Sequence, residues 1–458
     1  MREYRAFLDS KAPRTEPCGV DAKAMGSHLF DFQKAVVEFS LKQGRVGNFL
    51  DTGLGKSRIQ VEFCSQAAEA TNGRALLLTP LAVAPQIAKE ATALGYNARV
   101  IRDQSEASDG VNICNYDRLH LIDPDSYGAV SLDESSILKN FSGKQSRALI
   151  NAFRNTRFRL AATATPAPND HRELGQHAEF LGQMSSMEML SRWFINDTST
   201  ASQQWRLKRA AVTNFWDWMA TWSRAAQSPA DLGYDGAGFS LPPLNVIRHK
   251  TESDVSAPVG ALFIEDVSAT NLHDLKRQTI KARAEKLAEL VQAEPNEPWL
   301  IWVDTDYEAD AVRSLLAGAV EVRGSHTPEK KEHGLMGFAN GEVKILISKP
   351  SIAGVGMNYQ HCARMAYVGR SFSYESFYQS VRRCWRFGQS RPVNVHLIVA
   401  EGEDQIGRVI DRKAEDHDTM KRAMAAAMHR NAIAFSGPKT LYIPNFVGEF
   451  PSWLNAAA

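Results

Sequence analysis

The chain contains 458 residues, of which 44% are hydrophobic and 23% charged, a length that exceeds one compact core and predicts two or three domains. No apolar run reaches the roughly 18 residues that span a bilayer, and residues 1–5 lack the apolar core of a signal peptide, which argues against a membrane protein. The five cysteines include no C-x-x-C pair, so they predict neither a zinc ribbon nor a disulfide framework but a reducing, cytoplasmic environment.

The first predicted element is a helix. Residues 1–28 mix charges, Pro and Gly and are expected to form an irregular lead-in. A helix-like run follows from Leu29 to Leu41, and Gly44 and Gly47 end it.

A candidate phosphate-binding loop comes next. The apolar lead Asn48–Leu50 runs into a glycine-rich turn and then into a helix-like segment from Arg58. Glycines in such a turn let successive backbone N–H groups and the helix start face one anion. Lys56 can reach the β- and γ-phosphates of a nucleotide, and the Ser57 hydroxyl can bind Mg²⁺. The full motif has an earlier glycine where this chain has Leu50, so an ordinary glycine turn remains the alternative.

Two carboxylates follow a strand of the same unit. Apolar runs that alternate with helical segments predict a parallel sheet, with its ligand site at the carboxyl ends of the strands. Asp133 and Glu134 lie at one such end and Thr163–Thr165 at another, so both can meet the phosphate loop. Asp133 can hold Mg²⁺, usually through water, and Glu134 can orient and deprotonate a water molecule. Without the phosphate loop, such a pair would more often be a solvated turn.

Residues 172–275 differ in composition from the segments around them. Five of the nine tryptophans lie there, and Phe215, Trp218 and Trp222 recur at helical spacing. This spacing predicts a helical insertion that packs its aromatic side chains internally. Base stacking is the alternative, because basic residues are interspersed among the aromatics. The segment Ser228–Pro243 is rich in Gly, Pro and Asp and predicts a loop or linker.

A second α/β unit begins near residue 276. Its predicted elements include a charged helix from Thr279 to Gln292 and a buried strand, Trp299–Val303. From residue 404 the pattern is helical and charged, and the chain closes with a segment rich in Pro, Phe and Trp. The predicted domains are a lead-in, a first α/β domain, an insertion, a second α/β domain and a helical C-terminal cap: 1–28, 29–171, 172–275, 276–403 and 404–458.

An arginine pair is the second strong signal. Arg383 and Arg386 are three residues apart, so we expect them to share one helix face. Planar guanidinium groups suit the charge of a transferring phosphoryl group. A basic helix face that binds a phosphate backbone, or that is simply solvated, is the alternative.

The order of these motifs resembles that of superfamily-two helicases, and their details are similar to the Swi/Snf-type branch. Gln33 matches the glutamine that contacts adenine, and Gly53–Ser57 matches this branch's form of the Walker A motif. Thr79–Leu81 resembles motif Ia. Asp133–Ser136 stands where the family has D-E-x-H, with Ser136 in place of histidine. Thr163–Asn169 resembles motif III, with Ala164 in place of glycine.

The second unit continues the resemblance. Residues 353–360 fit motif V, and Gln379–Gln389 fits motif VI. Arg382 stands where the family usually has aspartate or glycine, whereas Arg383 and Arg386 match its two finger arginines. The resemblance covers roughly residues 29–170 and 276–413.

The resemblance implies two RecA-like P-loop domains with ATP and Mg²⁺ bound in the cleft between them. The implied catalytic residues are Lys56, Asp133, Glu134, Arg383 and Arg386. The implied Mg²⁺ ligands are Ser57 and Asp133. The implied nucleotide-binding residues are Gln33, Thr52, Gly53, Leu54, Gly55, Lys56, Ser57, Gly354, Gly356 and Gln379.

The implied function is an ATP-dependent motor that moves on DNA, with duplex DNA favoured and no sequence preference. A net charge of +1 does not oppose this, because local charge decides nucleic-acid binding. The alternatives are a strand-separating or branch-migrating helicase on forked DNA or RNA, and a nucleotide-gated DNA clamp; a nuclease is disfavoured. The compact size fits a stand-alone phage or bacterial type in the cytoplasm of a bacterium or an infected host.

Overall fold

The computed structural model describes residues 17–81, 83–140, 143–197, 204–251, 269–354, 357–400 and 404–436. Predicted features at residues 1–16, at 437–458 and at Gly356 lie outside the described residues. The described parts of the chain form two parallel sheets flanked by helices, which confirms the predicted α/β fold class. We call the units built on the two sheets the first and the second domain.

The first domain is a parallel sheet between two helical layers. Its strands are β1 (Arg45–Leu50), β2 (Arg74–Thr79), β3 (Ala98–Val100), β4 (Gly110–Asn115), β5 (Ala129–Asp133), β6 (Phe158–Ala162) and β9 (Ser223–Ala226). They pair in the order β3-β4-β2-β5-β6-β1-β9. The carboxyl ends of β1, β5 and β6 are therefore neighbours, which brings the phosphate loop, the carboxylate pair and Thr163 to one edge.

Alternation along β2 shows how this sheet is buried on both faces. Ala75 and Leu77 pack in one apolar cluster, whereas Leu76 and Leu78 pack in the other. One layer contains α1 (Asp31–Gln43), α2 (Lys56–Glu69) and α3 (Ala84–Ala93). The opposite layer contains α4 (Lys144–Ala152), α5 (Leu174–Phe180), α6 (Ser186–Trp193) and α7 (Val212–Trp222).

The segment 172–275 contains more than the helices predicted for it. An antiparallel hairpin joins β7 (Phe194–Asp197) to β8 (Gln204–Leu207). Strand β9 pairs with β1 of the first sheet, and β10 (Leu244–Thr251) pairs with a strand of the second sheet. The described residues between them, 227–243, connect the two sheets. Besides the predicted helices, this segment therefore supplies an edge strand to each sheet, which its sequence pattern did not predict.

The aromatic residues of α7 are structural. Phe215, Trp218 and Trp222 are buried in the first-domain core, and Trp218 stacks on Trp193 with ring centroids 4.6 Å apart. Their burial confirms the prediction that these aromatic side chains pack inside the protein.

The second domain repeats the same layout. Its remaining strands are β11 (Trp299–Trp302), β12 (Val320–Val322), β13 (Ile345–Ser348), β14 (Arg364–Tyr367) and β15 (Val393–Ala400). The order is β10-β15-β14-β11-β13-β12, with parallel pairing throughout. The helices are α8 (Ala269–Ala293), α9 (Asp306–Leu315), α10 (Pro328–Ala339), α11 (Pro350–Ala353) and α12 (Tyr374–Val381).

A long helix returns from the second domain to the first. It is α13 (Asp404–Ser436), and its Met420, Met424 and Met428 belong to the first-domain core beside α7. The charged helical pattern predicted this helix but not its destination. In the described part of the chain, no helix is long and apolar enough to cross a membrane.

Short 3₁₀ turns complete the described secondary structure: Gln104–Glu106, Tyr116–Leu121, Pro124–Ser126, Ser135–Lys139, His171–Glu173, Arg209–Ala211 and Pro229–Leu232.

Candidate nucleotide-binding site

The glycine-rich turn between β1 and α2 has the backbone of a phosphate loop. Gly53 and Gly55 have φ angles of +94° and +78°, a left-handed conformation that favours glycine. Helix α2 begins at Lys56, so its unpaired N–H groups face the turn. The prediction of strand, turn and helix is confirmed.

Gln33 braces this turn from α1. Its side-chain amide donates to the Leu54 carbonyl at 3.0 Å, and its amide oxygen accepts from the Phe30 backbone at 3.0 Å. A Cβ at Gly55 would lie 2.2 Å from the Gln33 amide nitrogen, so only glycine fits there. Gln33 is 2% exposed and borders the cavity described below.

Asp133 is held in place by two side chains from neighbouring elements. Its Oδ1 accepts from Gln60 on α2, and its Oδ2 accepts from Thr79 at the end of β2, both at 2.9 Å. Each carboxylate oxygen keeps a second lone pair, so the group can still accept from a metal-bound water molecule. Asp133 is buried at the carboxyl end of β5.

Glu134 has the only positive φ of a non-glycine residue in the described ranges, +52°. Its Oε2 accepts from Thr163 Oγ1 at 3.3 Å, which confirms that these two strand ends meet. Burial raises the pKa of Glu134, and the charge of Lys56 opposes this shift. A partly buried carboxylate with a raised pKa is well suited to accept a proton.

Lys56 points into the same space. Its Nζ donates to the Leu50 carbonyl at 3.1 Å and to the Asp51 carbonyl at 3.3 Å. Burial lowers the pKa of Lys56, whereas the carboxylates of Glu134, Asp51 and Asp133 raise it. A desolvated ammonium group that faces carboxylates gains most when a polyanion binds beside it.

Arg383 and Arg386 do not lie on a helix, contrary to the prediction. Helix α12 ends at Val381, and both arginines follow it in turns. Arg383 Nε donates to the Gly354 carbonyl at 2.8 Å, which fixes its guanidinium group, whereas the buried Nε of Arg386 has no partner among the described residues. Burial lowers the pKa of both arginines, that of Arg386 to about 10.

A cavity of about 300 Å³ lies between the domains, and residues of both domains line it. Its walls include the phosphate loop, the carboxylate pair and the arginine pair. The predicted residues that line it are Gln33, Thr52, Gly53, Gly55, Lys56, Ser57, Asp133, Glu134, Arg383 and Arg386.

Three predicted nucleotide-binding residues lie outside this lining. Leu54 is buried beneath the loop, and Gly354 contributes its carbonyl to Arg383. Gln379 instead contacts Glu375, one turn earlier on α12. These positions were transferred from motif membership, which does not determine which way a side chain points.

Aromatic residues at the cavity were not predicted. Phe30, Phe239 and Phe387 line it, and Phe239 stacks on Phe387 with centroids 4.8 Å apart. Phe239 comes from the segment between the sheets, and Phe387 lies next to Arg386. Phe387 lies within motif VI and Phe239 within the predicted linker, but neither position signalled an inward-facing ring.

The residues present fit a nucleoside triphosphate with Mg²⁺. Backbone N–H groups, Lys56 and two arginines surround space for an anion, and the buried Arg386 Nε lacks an acceptor. Ser57 and Asp133 provide the oxygen ligands that Mg²⁺ prefers. The described residues contain no cluster of three or more His, Cys, Asp or Glu side chains that could bind a metal.

One stretch of the second α/β unit matches a known protein family. Residues 282–388 match the family described as "Helicase conserved C-terminal domain". These residues are similar to a helicase C-terminal domain. The matched stretch contains strands β11 to β14 and both site arginines, and the match confirms that the second α/β unit resembles that of a helicase.

Curated proteins and solved structures give different results for the whole chain. No curated protein matches the chain significantly. Solved structures match in 686 chains, among them a structure described as "Sulfolobus solfataricus SWI2/SNF2 ATPase core in complex with dsDNA". That match has a TM-score of 0.40 and 16% sequence identity, and covers 90% of this chain and 96% of that one.

Proposed function

We propose that the chain is a superfamily-two motor of the Swi/Snf-type branch that couples ATP hydrolysis to movement on DNA, with duplex DNA favoured. The observation that carries this proposal is the shared cavity. Lys56, Asp133 and Glu134 of the first domain face Arg383 and Arg386 of the helicase C-terminal domain across it.

Each side chain has a role in this proposal. Lys56 and the backbone of the phosphate loop bind the phosphates. Ser57 and Asp133 would hold a Mg²⁺ ion, which would neutralise the phosphate charge. Glu134 orients a water molecule and takes its proton. Arg383 and Arg386 stabilise the charge of the transferring phosphoryl group.

Hydrolysis then depends on the distance between the domains. The carboxylates and the arginines belong to different sheets, so the site is complete only while the domains are together. This dependence is how the chemistry can drive movement along DNA. Loops at the carboxyl edge of the first sheet, such as Pro80–Leu81 with its 68% exposed leucine, are proposed to contact the DNA backbone without reading sequence.

The decisive test measures ATP hydrolysis with duplex DNA. We expect Lys56→Ala and Glu134→Gln each to abolish DNA-stimulated hydrolysis, because one loses phosphate binding and the other loses the base. Lys34→Ala is a matched control, since Lys34 is a surface lysine paired with Asp31. Robust hydrolysis by Glu134→Gln would disprove the assignment of the base.

The nucleic acid is tested separately. ATP hydrolysis is measured with duplex, single-stranded and forked DNA and with RNA, beside strand-displacement and triplex-displacement assays. Triplex displacement without strand separation supports a duplex translocase, and strand separation supports a helicase. No stimulation by any of these would refute the motor.

A further inference from the structure

Asp51 joins the phosphate loop to the second domain and to α13. Its Oδ1 accepts from the Thr52 backbone at 2.6 Å, and the Tyr378 hydroxyl donates to the same oxygen. Its Oδ2 accepts from Arg382 Nη2 at 2.6 Å and from Lys421 Nζ at 3.2 Å. Three parts of the chain that are far apart in sequence therefore meet at one carboxylate.

The cationic partners are themselves fixed. The Arg382 guanidinium lies over the Trp385 ring, 4.3 Å from its centroid, and Lys421 Nζ is 2.7 Å from the Tyr378 hydroxyl oxygen. Side chains held by both stacking and hydrogen bonds have few alternative positions.

This cluster exists only while the domains are in contact. Asp51 is 3% exposed, and the side chains of Arg382 and Lys421 are each 9% exposed. Burial alone would raise the pKa of Asp51, but Lys421 and Arg382 hold it well below its usual range. Separation of the domains would take Arg382 away from Asp51, whereas Lys421 would stay beside it, because Met420 and Met424 hold that part of α13 in the first-domain core. A buried charge that loses a partner in this way is destabilised.

The position of Arg382 connects the cluster to the arginine pair. Arg382 directly precedes Arg383, and Asp51 directly precedes the phosphate loop. The ion pair between their side chains therefore connects the chain segments that carry the two walls of the cavity. Neither Arg382 nor Asp51 lines the cavity that contains the arginine pair. Both line a neighbouring cavity of about 530 Å³ that shares Thr52 and Gly53 with it.

We propose that Asp51, Arg382 and Lys421 form an ionic joint that positions Arg383 and Arg386 over the phosphate loop. They are positioning residues for the proposed hydrolysis, on which this inference rests. The joint also makes α13 part of the closed arrangement, because Lys421 lies on that helix.

The test is a double-mutant cycle of Asp51→Asn and Arg382→Gln. Asparagine keeps the shape of Asp51 and the bond from the Thr52 backbone but removes the charge. We expect each single variant to lower kcat by about 100-fold with little change in KM, because misplaced arginines act on the transition state. The double variant is expected to be no worse than either single variant, since both break the same joint. Arg382→Lys should restore part of kcat, because lysine keeps the charge without the planar fork.

Lys421→Met tests α13, with Arg430→Gln as its matched control. Arg430 is also on α13 and also pairs with the first domain, through Asp217, but this pair is exposed and should contribute little. We expect only Lys421→Met to lower kcat. Thermal unfolding of every variant verifies that it is folded.

Small-angle X-ray scattering without nucleotide tests the joint independently of catalysis. We expect a larger radius of gyration for Asp51→Asn, Arg382→Gln and Lys421→Met than for the unmodified protein. Unchanged scattering, or losses in kcat that multiply independently in the double variant, would overturn the joint. If the unmodified protein hydrolyses no ATP, the proposed function fails, and the scattering still decides the joint.

Discussion

Glu134 combines a left-handed backbone with a partly buried carboxylate. A φ of +52° is uncommon for a residue with a side chain, and such backbone strain concentrates at functional sites. This conformation starts the turn Ser135–Lys139 directly after β5 and leaves the carboxylate beside Thr163 and Lys56. Both features are unfavourable for stability, and the proposed base role accounts for both.

Glu134→Gln is therefore expected to stabilise the fold at neutral pH, by roughly 0.5–2 kcal/mol as for other single stabilising substitutions. Because the pKa of Glu134 is raised, the folded state binds its proton more tightly than the unfolded chain does. The stability of the fold therefore falls as the pH rises from the pKa of this carboxyl group in the unfolded chain to its pKa in the folded protein. The gain should be small near pH 4.5 and grow above it. Urea unfolding at several pH values measures it; a less stable variant at pH 7 would contradict the expectation.

The phosphate loop and the carboxylate pair could be predicted because each motif is local. Residues 53–57 and 133–134 follow apolar strands directly, and the parallel sheet brings them together. The ion pair between Asp51 and Arg382 could not be predicted, because 331 positions separate the partners and only the domain contact joins them. Both arginines of the predicted pair line the cavity, but they do not lie on a helix, since spacing alone does not show that α12 ends at Val381.

At the scale of elements, the short strand β9 was also missed. Ser223–Ala226 has only four residues and directly follows the tryptophan-rich helix α7, so helical spacing dominates the local pattern. Only pairing with β1 shows that it is a strand. Helix α7 holds β9 in place, because Trp222 at its end packs edge-on against Phe49 of β1, with centroids 6.2 Å apart.

Substitutions at Trp222 measure how strongly α7 holds this edge of the sheet. Trp222→Ala should cost about 3–5 kcal/mol of unfolding free energy, because the side chain is fully buried. Trp222→Phe should cost much less, since the buried indole N–H has no hydrogen-bond partner to lose. Denaturant unfolding measures the unfolding free energy of both variants. Equal losses in Trp222→Ala and Trp222→Phe would show that the buried volume of the ring does not determine stability at this position.

At the scale of the whole molecule, α13 is the element that sequence patterns describe least well. Its charged face predicts a helix, yet its methionines complete the core of the first domain although the helix starts from the second. Residues 227–243 cross between the sheets in the opposite direction. Patterns along one helix do not identify the surface it covers.

Met424→Ala tests this packing. Met424 is 1% exposed, so its truncation should cost about 2–5 kcal/mol of unfolding free energy. Met336→Ala is a matched control on α10, because Met336 is 44% exposed and its loss should change stability by no more than about 0.5 kcal/mol. Urea unfolding measures both variants. Similar small effects would mean that α13 does not stabilise the first domain.

The two crossings have a mechanical consequence. Within the described ranges, the chain passes from the first domain to the second through residues 227–243 and returns through α13. On α13, Ile410 packs against Tyr374 of the second domain, and Met428 packs in the first-domain core. Two bodies tethered at two points keep one easy motion, a rotation about the line through both tethers, while sliding and twisting are restrained. Repeated opening and closing would therefore follow the same arc each time, and this would give a motor a displacement of constant size and direction.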